Sequence, residues 1–262
     1  MGLITRRQRI AVVEMFGTLG TTIRSAVYER VLSGVRKDPR VKALVLDIDS
    51  PGGSVTASDY MYRSVVRVAE EKPVVASIRG LGASGGYLVA CAAGTIVAIP
   101  GALVGSVGVI SIRPVLEGLL ERLGVAVSVN KSGKLKDMGA FWRAATDEEQ
   151  QKMQALTDDY YEDFVATVSR ERGMDLEAVR ALATGEVYRA PRAKELGLVD
   201  ELGDLDRAVD LAAELSGAPR RPVRVGPRRG LRERLMGPFA DALVETTAAE
   251  IERRIWSGYL SY

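Results

Sequence analysis

Three glycine-rich turns, each following an apolar run, carry the residues best suited to chemistry. They are Asp49-Ser50-Pro51-Gly52-Gly53, Gly82-Ala83-Ser84-Gly85-Gly86 and Gly105-Ser106-Val107-Gly108. Glycine reaches positive φ and lets a ligand approach main-chain N–H groups closely, and turns at the ends of parallel strands are where α/β sheets bind ligands. Taken singly, each also reads as no more than a tight turn. The middle turn offers more, because Ser84 opens the helical run Tyr87-Leu88-Val89-Ala90. A hydroxyl at a helix N-terminus sits among unpaired N–H groups that favour developing negative charge. Ser84 is therefore a candidate nucleophile for acyl transfer, with backbone donors at hand for an oxyanion.

The same five residues satisfy the Gly-x-Ser-x-Gly nucleophile turn, but that chemistry needs histidine and the chain has none. A Ser-His-Asp triad or Cys-His pair within one chain is thereby excluded, and a conventional zinc site loses its usual ligand. The base must come from Lys, Asp, Glu or Tyr. A lysine serves only as the neutral amine, which requires burial away from water. Lys131-Ser132-Gly133-Lys134-Leu135-Lys136-Asp137 offers three lysines, and sequence physics alone does not choose among them.

The elements that must position these groups follow from the apolar pattern. Ile10–Val13, Val41–Ile48, Val74–Ile78, Thr95–Ile99, Val107–Ile110 and Ala126–Val129 read as strands. Val41–Ile48 has the nearly continuous apolar character of a parallel sheet. Helical spacing is expected over 21–35, from Ser54 or Thr56 to about Glu71, and over Pro114–Leu123. Strand–helix alternation to about residue 145 implies an α/β domain with crossover connections. Beyond it the pattern is mostly helical: Thr146 and Glu149 form a capping box opening a helix toward Arg172, followed by helices near 175–183 and 204–215. Residues 217–230 are rich in Pro, Gly and Arg and read as a linker. A last helix is expected over Pro238–Ile255, before the aromatic terminus Tyr259-Leu260-Ser261-Tyr262.

Composition narrows the partners. The 36 basic and 34 acidic residues leave a formal charge of +2, so nothing draws the whole molecule to nucleic acid. No run approaches the ~18 apolar residues of a membrane-spanning helix, and the basic N-terminus leads straight into a strand without a signal peptide's apolar stretch. A cytoplasmic chain is compatible with this. The single cysteine, Cys91, allows no internal disulfide and reads as a small core residue. Phe141 and Trp142, after the lysine loop, are candidates to line an entrance or to pack in the core. No cofactor is called for.

Ordered motifs from Ile10 to Leu215 resemble the signal peptide peptidase A family of serine peptidases, family S49. Besides the three turns, they include Lys131-Ser132-Gly133 with Lys136-Asp137, Val187-Tyr188, and Ala193 to Gly203. The resemblance implies a Clp protease/crotonase-like fold of repeated ββα units, with a helical C-terminal part completing a peptidase domain over 1–216. It singles out Lys136, which precedes Asp137 and follows Ser84 by 52 residues, the place of the base in short bacterial members. By the same correspondence Ser106 orients the lysine amine, and the N–H groups of Gly53 and Gly85 form the oxyanion hole. It further implies peptide substrates of hydrophobic, signal-peptide-like or unfolded character, a homo-oligomeric ring (an octamer in short bacterial members) and membrane association. Tyr188-Arg189-Ala190-Pro191-Arg192 departs from the more usual Tyr-x-Gly-Arg stretch, and the anchor helix of many members is not in this sequence. The aromatic terminus is similar to tails that dock on a neighbouring subunit, and the Arg-rich linker could touch acidic lipid. Two other functions share the fold: a crotonase-like acyl-CoA enzyme, and a catalytically silent membrane-associated scaffold. Neither has a use for Ser84, Ser106 and Lys136 together.

Overall fold

The apolar runs become strands wherever a neighbouring backbone is available to pair with them. The computed structural model describes residues 8–227. Its centre is β1 (Arg9–Phe16), β2 (Val41–Ser50) and β3 (Val74–Ala83), joined by β4 (Thr95–Ala98), β5 (Leu103–Gly105), β6 (Val187–Arg189), β7 (Glu201–Leu202) and β8 (Pro222–Arg224). The sheet runs β6-β5-β3-β2-β1-β8, with β4 between β3 and β7, and every pairing is parallel except β5 with β6.

Helices α1 (Ser25–Lys37), α2 (Val55–Ala69) and α3 (Gly85–Cys91) provide the crossovers. They are followed by α4 (Glu117–Arg122), α5 (Asp147–Arg172), α6 (Leu176–Leu182), α7 (Ala190–Glu195) and α8 (Leu205–Ser216). Side chains alternate across each strand. Ala11, Val13, Met15, Leu44, Leu46 and Ile48 face a core shared with α1, α2 and α5. Ile10, Val12, Ala43 and Val45 face the other way, onto Ala208, Val209 and Ala212 of α8. Covering both faces is what the unbroken apolar strands require.

One strand decides where the glycine turns meet. The first half of β3, Val75–Ile78, pairs with β4, whereas Leu81–Ala83 pairs with β5. Between these halves the register against β2 also shifts. Asp49 Oδ1 accepts from the Leu81 N–H at 2.9 Å there, which compensates for the irregular ladder.

Several expected elements differ. Val107–Ile110 and Ala126–Val129 are not strands: the Val107 carbonyl accepts one bond from the Gly185 N–H at 3.1 Å, and among the described residues no longer ladder forms on either segment. Between β5 and α5 the only helix or strand is α4, none of whose residues is buried. Ile110 and Ile112 are 80% and 82% exposed. Residues 222–224, inside the stretch expected to be a linker, form β8 on the outer edge of β1. A proline at the first position of an edge strand costs no ladder bond. The expected helix over Pro238–Ile255 and the aromatic terminus lie outside the described residues.

The capping box at α5 forms as expected, with Thr146 Oγ1 accepting from the Glu149 N–H and Glu149 accepting from the Thr146 N–H. Arg143 reinforces it, donating to both Glu149 oxygens and to Asp137. Its guanidinium, helped by the Thr146 amide, holds the Glu149 carboxyl down at about 2. Arg143 and then Lys131 hold Asp137 well below its usual range. A carboxyl lowered by folding stabilises above its unfolded pKa and loses that contribution as pH falls through the folded value. Acid should therefore loosen this junction between pH 4.5 and about 2. The slope of thermal midpoint against pH should flatten over that window in Glu149→Gln.

Candidate active site

Ser84 follows the last residue of β3 and is the N-cap of α3, with φ 51° and ψ −125°. Ser106 follows the last residue of β5 and also has φ 51°. Among the described residues these are the only non-glycine positions with positive φ. Such conformations cost on the order of 1–3 kcal/mol each and persist only where the surroundings over-determine them. Both are held. The Ser84 N–H donates to the Gly105 carbonyl at 2.8 Å, and the Ser106 N–H to the Glu186 carbonyl at 2.7 Å. Because Ala83 pairs with Gly105, the two serines leave adjacent strand ends side by side, each half-buried.

The glycines around Ser84 are close-approach residues. A Cβ on Gly52 would lie 2.6 Å from the Gly85 nitrogen and 2.8 Å from the Ser84 Cβ. One on Gly85 would fall 2.0 Å from the Ser58 Oγ, one on Gly86 2.7 Å from the Ser50 carbonyl oxygen, and one on Gly53 2.2 Å from the Leu19 carbonyl oxygen. The Pro-Gly-Gly turn is thus packed directly on the Ser84 turn. Among the described residues, neither the Gly53 nor the Gly85 N–H donates to any backbone carbonyl. Two amides beside a half-buried hydroxyl can receive an oxyanion.

The three lysines differ in their partners. Lys131 bonds Asp137 at 2.6 Å and the Lys134 carbonyl at 3.1 Å, and Lys134 pairs with Glu148. Lys136 is exposed and, among the described residues, has no ion pair and no hydrogen bond to Ser84 or Ser106. The chain therefore brings Ser84, Ser106, Gly53 and Gly85 together and leaves Lys136 on the poorly packed stretch between β5 and α5. The burial that a neutral lysine requires is not supplied by the described residues of one chain. Beside this loop is a cleft of about 430 Å³ lined by Leu120, Val125, Val127, Lys131, Asp137 and Trp142. Phe141 meets the Trp142 ring edge-on.

Cys91 is buried in α3, and burial pushes its thiol up to about 12, so it is no nucleophile at neutral pH. No group of His, Cys, Asp and Glu able to hold a metal occurs among the described residues. Sequence reasoning passed over Ser50 and Ser58, buried serines beneath the two turns. Ser50 lies within the Asp49–Gly53 turn motif. Ser58 gave no signal, since a serine on a helix is ordinarily a surface residue.

A mostly parallel sheet covered on both faces, with a strained serine at a strand–helix turn beside unpaired amides, is an arrangement built on a Clp protease-like fold. Solved structures agree on the fold. The membrane-bound stomatin-specific protease 1510-N, as an alanine mutant, superposes with a TM-score of 0.55 at 15% identity, covering 84% of this chain and 99% of that one. A mutant of ClpP1 from Listeria monocytogenes gives 0.52 at 14% identity, covering 75% and 93%.

The chain belongs to peptidase family S49, whose model matches residues 67–218. A protein of Synechocystis sp. that bears the name of a protease is 40% identical over 211 residues, 80% of this chain and 76% of its own length. "Protease 4" of Salmonella typhi is 40% identical over 182 residues, 69% of this chain and 29% of that protein. "Serine protease SPPA, chloroplastic" of Arabidopsis thaliana is 33% identical over 230 residues, 84% and 34% respectively. The chain thus spans about three quarters of the first relative but only about a third of the other two.

The close approaches set a stability test. Gly53→Ala and Gly85→Ala should each destabilise the fold by about 2–4 kcal/mol through overpacking and, at Gly53, strained φ. Gly101→Ala should be nearly neutral, since nothing lies within 4 Å of its would-be Cβ. Urea unfolding midpoints read all three.

Proposed function

We propose that this chain is a serine endopeptidase in which Ser84 attacks and Lys136 acts as general base. The observation that carries the reading is the strained Ser84 beside the undonated N–H groups of Gly53 and Gly85. Ser84 Oγ bonds to the substrate carbonyl carbon while its proton passes to the Lys136 amine. The resulting oxyanion is received by the two amides. The C–N bond then breaks, the proton moves from Lys136 to the leaving amine, and water releases the acyl group from Ser84. Ser106, beside Ser84 at the next strand end, is assigned to orient the lysine amine.

Lys136 is preferred because it is the one lysine of its loop without a carboxylate partner among the described residues, and because of its position before Asp137 in the family pattern. Its neighbour Asp137 is pinned by Arg143 and Lys131, which anchors the loop. Exposed Ile110, Ile112 and Leu123 on the same stretch support assembly into a homo-oligomer, an octameric ring by family resemblance. Assembly would bury this stretch and dry the amine. An apolar access surface fits hydrophobic, signal-peptide-like or unfolded segments. A peptidase domain over 1–216 together with its edge strand β8, and association with a membrane surface, belong to the same reading. One structural neighbour is named membrane-bound, and the Arg-rich stretch begins directly after α8.

Fluorogenic hydrophobic peptides test the assignment. Ser84→Ala and Lys136→Ala should each lower kcat by about three orders of magnitude or more, whereas Lys131→Ala and Lys134→Ala should retain most activity. A fully active Lys136→Ala variant would move the base to another lysine. Full activity in Ser84→Ala would discard the mechanism.

A further inference from the structure

We infer that Ser50 is a positioning residue that aims the Gly53 N–H of the oxyanion hole. The inference rests on the reading of Ser84 as nucleophile and Gly53 as oxyanion donor. Ser50 is 1% exposed at the end of β2. Its hydroxyl donates to the Gly17 carbonyl at 2.6 Å and accepts from the Gly52 N–H at 3.2 Å. A serine hydroxyl has one proton to give and lone pairs to receive, so both capacities are used.

The consequence lies in the two peptide planes on either side of Gly52. Each is rigid, with N–H and C=O pointing in opposite directions. The plane between Pro51 and Gly52 is held through its N–H by Ser50. The plane between Gly52 and Gly53 is held through its carbonyl, which accepts from the Leu19 N–H at 2.7 Å. The Gly53 N–H belongs to that second plane and so points away from Leu19. The rotation between the planes is the Gly52 backbone, at φ 93°, where glycine has little preference of its own. Among the described residues the Gly52 N–H has no other acceptor, so without the Ser50 hydroxyl the first plane loses the one hydrogen bond that sets its orientation.

The same hydroxyl also ties in the loop that holds the second plane. Gly17, its acceptor, lies two residues before Leu19, and the Gly17 N–H donates back to the Asp49 carbonyl at 2.9 Å. Packing adds a third tie, since a Cβ on Gly86 would lie 3.1 Å from the Ser50 Cβ. Ser50 therefore links the oxyanion turn, the loop after β1 and the helix behind Ser84. It touches no substrate in this arrangement and acts only through the Gly52–Gly53 backbone.

The test compares the full chain with Ser50→Ala in three measurements. These are active-site titration with a sulfonyl fluoride, kinetics on one fluorogenic hydrophobic peptide, and inhibition by a peptide aldehyde, whose hemiacetal oxygen needs the same donors. The expected result is an unchanged number of titratable sites, with kcat per site down about ten- to a hundredfold and KM within about twofold. The aldehyde should weaken by the same factor as kcat/KM. Fewer titratable sites, each turning over at the parent rate, would make Ser50 merely structural and overturn the inference. Should the alanine variant fail to fold, Ser50→Cys, close in volume with a much weaker donor and acceptor, is measured the same way. A parent-like rate per site there also overturns it. Undiminished turnover by Ser84→Ala in the same assay would instead remove the nucleophile reading on which this one rests.

Discussion

The structure depends on one contact: the backbone of Gly52–Gly53 pressed against the backbone of Ser84–Gly85. Two main chains approach so closely that no Cβ fits between them. That approach is possible only because β2 and β3 are neighbours and end together, their registers adjusted by the shift after Ile48. The free amides, the strained serine and the adjacent Ser106 all follow from that constraint. Strain at Ser84 and Ser106 persists because rigid pairing on either side leaves the backbone no alternative.

The scaffold beneath is built to hold that constraint. Buried apolar side chains on both sheet faces supply most of the favourable free energy, and the edge of β1 is closed by β8 rather than left open. Asp47, fully buried, meets Arg79 at 2.5 Å, and Arg79 in turn stacks over Phe16 at 5.1 Å. Removing one partner would leave a buried charge uncompensated. Tyr62 joins Glu171 and Arg170, fixing α2 to the end of α5.

The region between β5 and α5 has the opposite character. It has few buried side chains, one short helix, and a lysine loop anchored mainly through Asp137, Arg143 and Glu149. Under the proposed assignment, the nucleophile lies on the sheet and the base on this lightly packed stretch, so the chemistry is divided between two kinds of structure. The first is complete within one chain. The second, under that assignment, needs a covering surface to supply the dryness that a neutral amine requires.

The central strands and the long helix were legible in the sequence because their signals are local. Unbroken apolar runs marked β2 and β3, and the Thr146–Glu149 box marked the start of α5. The absence of histidine restricts the base whatever the fold, and the ordered motifs led to the family, with Ser84 and Lys136 as candidates. What tertiary structure alone decided was pairing. Val107–Ile110 and Ala126–Val129 have strand-like composition but, beyond one bond at Val107, no described ladder, whereas Pro222–Arg224, in a linker-like context, found the free edge of β1. Local periodicity records how a segment would use a neighbour and not whether one is there. For the same reason the buried hydroxyls of Ser50 and Ser58, and the glycines that a Cβ would jam, emerged only when distant turns were seen in contact.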